Sequence, residues 1–182
     1  MMAGLFRHLL LPVAALMPLH AVAAQGVASG LGVRSPASSV KPVDRVRAAL
    51  QQAGATLCAG MIVRAADFLF EEGNGDFTLQ PLGPDINRWP IVLTMESAHL
   101  KAGATRLTIL TLAPAGTCSG SYQQIITWQQ TCAVVKSTIF PSFLGEKPLY
   151  RSVRQSELTP GIQLYLMPAG TGCVSVKKEL IG

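Results

Sequence analysis

The chain has 182 residues, with 15 basic and 10 acidic side chains for a formal net charge of +5, and it carries only three histidines and four cysteines. That length suits one domain. The charge is mild and dispersed, Lys177-Lys178 being its densest cluster. No basic run interleaves with aromatics as a nucleic-acid groove requires, so nucleic acid is not an expected partner.

The N-terminus reads as an export signal. Arg7 supplies a short positive region, an apolar stretch covers 9–17 with Pro12 inside it, and Pro18 precedes the small-residue sequence Ala21-Val22-Ala23-Ala24. Positive, apolar, then small-x-small is the order of a cleavable secretory signal. A spanning helix needs roughly 20 apolar residues; this run is shorter, holds two prolines and ends without a charged stop. Cleavage after Ala23 or Ala24 is expected, with residues 1–24 removed, no stable membrane insertion afterwards, and a periplasmic or secreted location. The mature chain then keeps 14 basic and 10 acidic residues, a formal charge of +4.

Removal of the signal also removes His8 and His20, leaving His99 as the one histidine. No multi-histidine metal site can form, and imidazole base chemistry would run through His99 alone. An even set of cysteines in an exported chain, Cys58, Cys118, Cys132 and Cys173, predicts two disulfides. None has the C-x-x-C spacing of a zinc or redox pair.

Residues 25–41 are rich in Gly, Ser, Ala and Pro and read as a flexible leader. The folded domain is expected over 42–182. Val43, Val46, Leu50 and Ala53 recur at helical spacing, with Pro42 at a first-turn position and Gly54 as a stop. A second helix is expected from Leu57, Met61, Ile62, Ala65, Phe68 and Leu69 on one face, with Thr56 as cap and Gly73 as stop.

From Asn74-Gly75 the period becomes two. Strands are expected around Phe77 and Leu79, then 91–96, 107–112 and 122–128. A helix follows over 132–140, ended by Pro141. Late strands are expected at 149–153, 162–167 and 173–178, the last two forming a hairpin. Helices and strands do not alternate through the chain, so the expectation is an α+β fold. It has a mostly antiparallel sheet of about five to seven strands with two or three helices packed on one face.

Cysteine pairing meets a conflict. A full strand over 121–128 spans roughly 26 Å at about 3.3 Å per residue, while disulfide Cα atoms lie within about 7 Å. Alternating strand directions put Cys58, Cys118 and Cys173 at one end of the sheet and leave Cys132 alone at the other, so one element assignment is wrong. Cys118–Cys132 with Cys58–Cys173 is the favoured pairing, and the other two pairings stay open.

Several constellations could carry chemistry. Gly116-Thr117-Cys118-Ser119-Gly120 has the glycine-flanked form of a nucleophile turn, but a strand rather than a helix follows it and its cysteine is expected to be oxidised. Glu96 and His99 are close enough in sequence to cooperate, with Ser97 or Ser119 as nucleophile; a surface turn after a strand explains the same residues. Asp67, Glu71, Glu72, Asn74 and Asp76 cluster near two glycines but lack EF-hand spacing. The S-x-x-K matches at 38–41 and 175–178 lie in the leader and in a strand, not on a helix. Tyr122, Trp128, Tyr150 and Tyr165 read as core, or as a binding face if exposed, and Trp89 as a loop aromatic.

These residues imply no cofactor and no metal. The favoured function is a non-enzymatic binding or interaction protein of the cell envelope: an inhibitor, an immunity-type partner or an accessory subunit, with a protein as partner. The alternative is a small hydrolase using Ser or Cys with His99. A ligand carrier, which would need an apolar cavity, stands third.

Overall fold

A computed structural model describes residues 40–70, 74–99, 104–114 and 116–182. The expected signal, most of the leader, Ser38-Ser39 of the first S-x-x-K match, Glu71-Glu72 and the expected helix stop Gly73 lie outside the described residues. Two helices open the fold, α1 (Pro42–Gln52) and α2 (Ala59–Leu69). Four strands follow: β1 (Asp76–Pro81), β2 (Ile91–His99), β3 (Ala104–Ala113) and β4 (Ser119–Trp128). A short helix α3 (Cys132–Thr138) leads to β5 (Lys147–Pro148), β6 (Arg154–Thr159), β7 (Ile162–Ala169) and β8 (Gly172–Ile181). The described residues thus form an α+β fold. Its sheet has eight strands rather than five to seven, all antiparallel, in the order β1-β2-β3-β4-β8-β7-β6-β5.

Local chemistry sets the helix ends. Pro42 occupies the first turn of α1, where no intrahelical N–H is needed. Gly54, at φ 71°, takes the left-handed position after the helix, and the Ala55 N–H returns to the Leu50 carbonyl at 2.9 Å. Helix α2 departs from expectation. Thr56 does not cap it, and the N-cap is Cys58 at φ 60°. Its buried side is Ile62, Ala66 and Leu69, while Leu57 and Phe68 are more than half exposed. The disulfide from Cys58 fixes where the helix starts. Helix α3 ends at Thr138 rather than at 140, because the residue before Pro141 is pushed out of helical geometry.

The expected strand at 149–153 is a loop, closed by the Leu149 N–H donating to the Val153 carbonyl at 2.9 Å. The strand lies just after it, in β6. Its sequence, Arg-Gln-Ser-Glu-Leu-Thr, is polar and offers little alternation to read.

Strand register decides what faces what. Phe77 pairs with Met95, Leu93 with Leu110, Leu110 with Tyr122, and Tyr122 with Glu179. Ile126 pairs with Ser175 and Ser175 with Leu166. Because successive side chains alternate, these residues share one face, and that face is covered. Val46, Leu50, Ile62, Ala66 and Leu69 of α1 and α2 pack on its β1–β4 half. Val135 of α3 and Phe143 pack on a second cluster with Ile126, Trp128, Leu164, Leu166 and Cys173.

The disulfides are Cys58–Cys118 and Cys132–Cys173, with Cα separations of 5.4 and 4.9 Å. The favoured pairing is therefore corrected. Strand β8 lies against β4 in the opposite direction and places Cys173 across from Trp128. Cys173 thus starts its strand where β4 ends, beside Cys132, and not at the Cys118 end.

Candidate functional site

Among the described residues, no helix packs on the second face of the sheet. On it, Leu107 pairs with Ile125, Ile125 with Val176, and Val176 with Tyr165. These four side chains make a row across four neighbouring strands. Ile109, Val174 and Met167 lie on the same face by alternation, and the residues of the row are partly or well exposed. Glu96 sits opposite Leu107 at one end of the row, and Lys178 flanks it between Gln123 and Gln163. An apolar row with a polar border, open to solvent, is the form a protein-binding surface takes.

The sheet edges are less inviting. Strand β5 has two residues, Lys147 and Pro148, and β1 ends in Pro81. Lys and Pro at these edges oppose strand addition.

The covered face carries a polar seam between its two apolar clusters. Tyr122 is buried, and its hydroxyl donates to the Glu179 carboxylate while accepting from Lys177 Nζ at 3.1 Å. Lys177 also pairs with Glu179 at 2.9 Å. Burial, then the bond to Glu179, raises the Tyr122 pKa. Burial works against the charge of Lys177, but the bonds and charges of Glu179 and Tyr122 prevail and raise its pKa. Burial likewise works against the Glu179 carboxylate, yet donation from Tyr122 and Lys177 and the lysine charge hold its pKa below the ordinary carboxyl value. The three groups hold one another in place.

Nearby, Arg106 is 4% exposed and its Nε donates to Ser97 Oγ at 3.3 Å. Trp128 donates its indole N–H to Ser175 Oγ at 2.8 Å and meets the rings of His99 and Phe140 edge-on, at 5.6 and 6.1 Å.

The candidate catalytic residues are not brought together. Glu96 and His99 both belong to β2, not to a turn after it. Their positions differ by three, so Glu96 points to the open face and His99 to the covered one. His99 Nδ1 is buried without a hydrogen-bond partner. Ser119 pairs with Ala113 at one end of the β3–β4 ladder, while His99 pairs with Ala104 at the far end of β3. Ser97 is engaged by Arg106. Cys118 is bonded to Cys58. Gly120 serves a close approach of strands: a Cβ there would lie 1.9 Å from the Thr111 carbonyl oxygen. Of the acidic cluster, Asp76 accepts from Arg45 at 3.0 Å. Among the described residues, no group of three or more His, Cys, Asp or Glu is placed to hold a metal ion.

Of the binding candidates, Tyr122 and Trp128 are buried, each 3% exposed. Trp89 is half exposed and lies over Gly83, where a Cβ would meet the indole at 2.3 Å. Tyr150, expected in the core, is 78% exposed. Sequence reading missed the row on the open face. Its signal was present in Leu107, Ile125 and Val176, apolar residues at the outward positions of their strands.

Among the described residues no helix is long and apolar enough to cross a membrane. Comparison with protein-family models, with curated proteins and with solved structures returns no match.

Proposed function

We propose that the chain is an exported interaction protein of the cell envelope, non-enzymatic and periplasmic or secreted. In this reading, signal residues 1–24 are removed and 25–41 form a leader. The disulfide-braced domain over 42–182 then docks a protein partner on its open sheet face. The observation that carries the reading is the row Leu107–Ile125–Val176–Tyr165 on the face that bears no helix among the described residues. Two disulfides accord with an oxidising compartment. The interaction needs no cofactor. Its test is affinity capture from envelope extract by the mature, oxidised protein beside an Ile125→Lys, Val176→Lys variant. The expected result is a specific partner held by the parent and lost by the variant. Retention of the same partner by the variant contradicts the assignment of the face.

The alternative, a hydrolase using Ser or Cys with His99, draws on one observation, the buried and unpartnered His99 Nδ1. It lacks a neighbouring nucleophile or carboxylate among the residues suggested for it. Hydrolytic turnover by the mature protein, abolished by His99→Ala, would favour this alternative.

A further inference from the structure

The end of the sheet opposite the Cys58–Cys118 bridge carries a second unusual surface. Leu144 is 75% exposed, Leu149 59% and Tyr150 78%, with Val134 and Ile139 of α3 also well exposed. The segments that carry these residues are linked by specific contacts. The β5–β6 hairpin turns through 149–153, closed by the Leu149–Val153 hydrogen bond. The Leu144 carbonyl accepts from Ser156 Oγ of β6 at 2.6 Å. Lys136 of α3 bonds Glu146 at 3.2 Å and lies 5.9 Å from the Phe143 ring centre.

Cations are interleaved with the apolar groups. Lys147, Arg151 and Arg154 are all exposed, and none forms a salt bridge with a carboxylate among the described residues. Arg151 lies 5.2 Å from the centre of the Tyr150 ring. Of the nearest acids in sequence, Glu146 is paired with Lys136 and Glu157 accepts from the Gly161 amide at 3.3 Å. Exposed Leu and Tyr beside unpaired Lys and Arg suit the boundary of an anionic bilayer. There the apolar side chains enter the headgroup region, the aromatic ring stays at the interface, and the cations meet lipid phosphates. A protein partner adding a strand here is disfavoured by the two-residue edge Lys147–Pro148.

We infer that the β5–β6 hairpin with α3 is a peripheral docking element for an anionic lipid surface. It borders the open sheet face, since Lys147 pairs with Gln155 and Gln155 with Tyr165, but it does not depend on that reading. The element rests on the membrane and does not cross it.

The test is sedimentation of the mature, oxidised protein with vesicles of phosphatidylcholine alone and of phosphatidylcholine mixed with phosphatidylglycerol. Binding is expected to the mixed vesicles only, and to weaken as salt is raised. Each of Arg151→Glu and Arg154→Glu should weaken it about fivefold or more, and Leu144→Ser with Tyr150→Ser should weaken it independently. Lys178→Glu, a cation on the open face, should leave it unchanged. Absence of binding to the mixed vesicles, including where an acidic protein is bound through the same residues instead, overturns the inference. So does binding that Lys178→Glu reduces as much as Arg151→Glu, or that the Leu144 and Tyr150 changes leave intact.

Discussion

Cys173 stands opposite Trp128 in the ladder between β4 and β8, and Cys132 follows Trp128 by one turn of chain, so the two cysteines meet at the end of the sheet. The same arrangement sends Cys118, at the start of β4, to the other end and to Cys58 on α2. Each bridge ties a helix of the covering layer to the sheet beneath it.

The disulfides close segments of 60 and 41 residues. Loop-closure entropy gives each ~3–5 kcal/mol, with little difference between them because the dependence on length is logarithmic. Cys58→Ala with Cys118→Ala, and Cys132→Ala with Cys173→Ala, should therefore lower the urea midpoint by similar amounts. Non-reducing peptide mapping should find the pairs 58–118 and 132–173. A peptide joining Cys118 to Cys132 would contradict the fold.

Trp128 and Ser175 share a buried hydrogen bond of 2.8 Å. Trp128→Phe leaves the serine hydroxyl buried without its donor and opens a cavity, and should cost ~2–4 kcal/mol. Ser175→Ala should cost ~1–2 kcal/mol. A double-mutant cycle by urea denaturation should show positive coupling. Strict additivity would mean that the bond contributes nothing.

The Tyr122–Lys177–Glu179 group predicts a stability plateau with two flanks. Glu179 has a depressed pKa when folded. Its contribution is present above the unfolded value of about 4.3 and is lost as pH falls through the folded one. Lys177 and Tyr122 have raised values, so theirs are present below about 10 and lost as pH rises through the folded values. Tyr122→Phe should destabilise most at neutral pH, and the difference from the parent should shrink toward both extremes. Urea midpoints measured from acid to alkali check this; a constant difference across the range contradicts it.

Asn87 fastens the loop before β2 to the α1–α2 connection. Its Oδ1 accepts from the Thr56 and Leu57 amides at 2.7 and 3.0 Å and its Nδ2 donates to the Gly54 carbonyl at 2.9 Å. These bonds are exposed, so Asn87→Ala should cost only ~1–2 kcal/mol. Hydrogen exchange at the Thr56 and Leu57 amides should accelerate by more than that at Leu93, in the core of β2.

The sequence made the α+β class and the first four strands readable, because Leu93, Met95, Leu110 and Leu112 alternate strongly and Pro42 and Gly54 mark a helix. Strand β6 was not readable. Ser156 is buried there by its bond to the Leu144 carbonyl, a tertiary contact with no local signature. Cysteine pairing failed for the same reason, since it depends on β8 running beside β4. For the candidate site, Glu96 and His99 were legible as neighbours in sequence. The continuation of β2 through His99, which puts them on opposite faces, was not. The apolar row on the open face emerges only once register joins Leu107, Ile125, Val176 and Tyr165.

In the proposed function the open sheet face binds a protein partner. Its most direct test is capture from envelope extract by the mature protein, by the Ile125→Lys, Val176→Lys variant and by His99→Ala. One specific partner should be retained by the parent and by His99→Ala and lost by the face variant. Capture that survives the face variant, or a hydrolytic activity that disappears with His99→Ala, would contradict it.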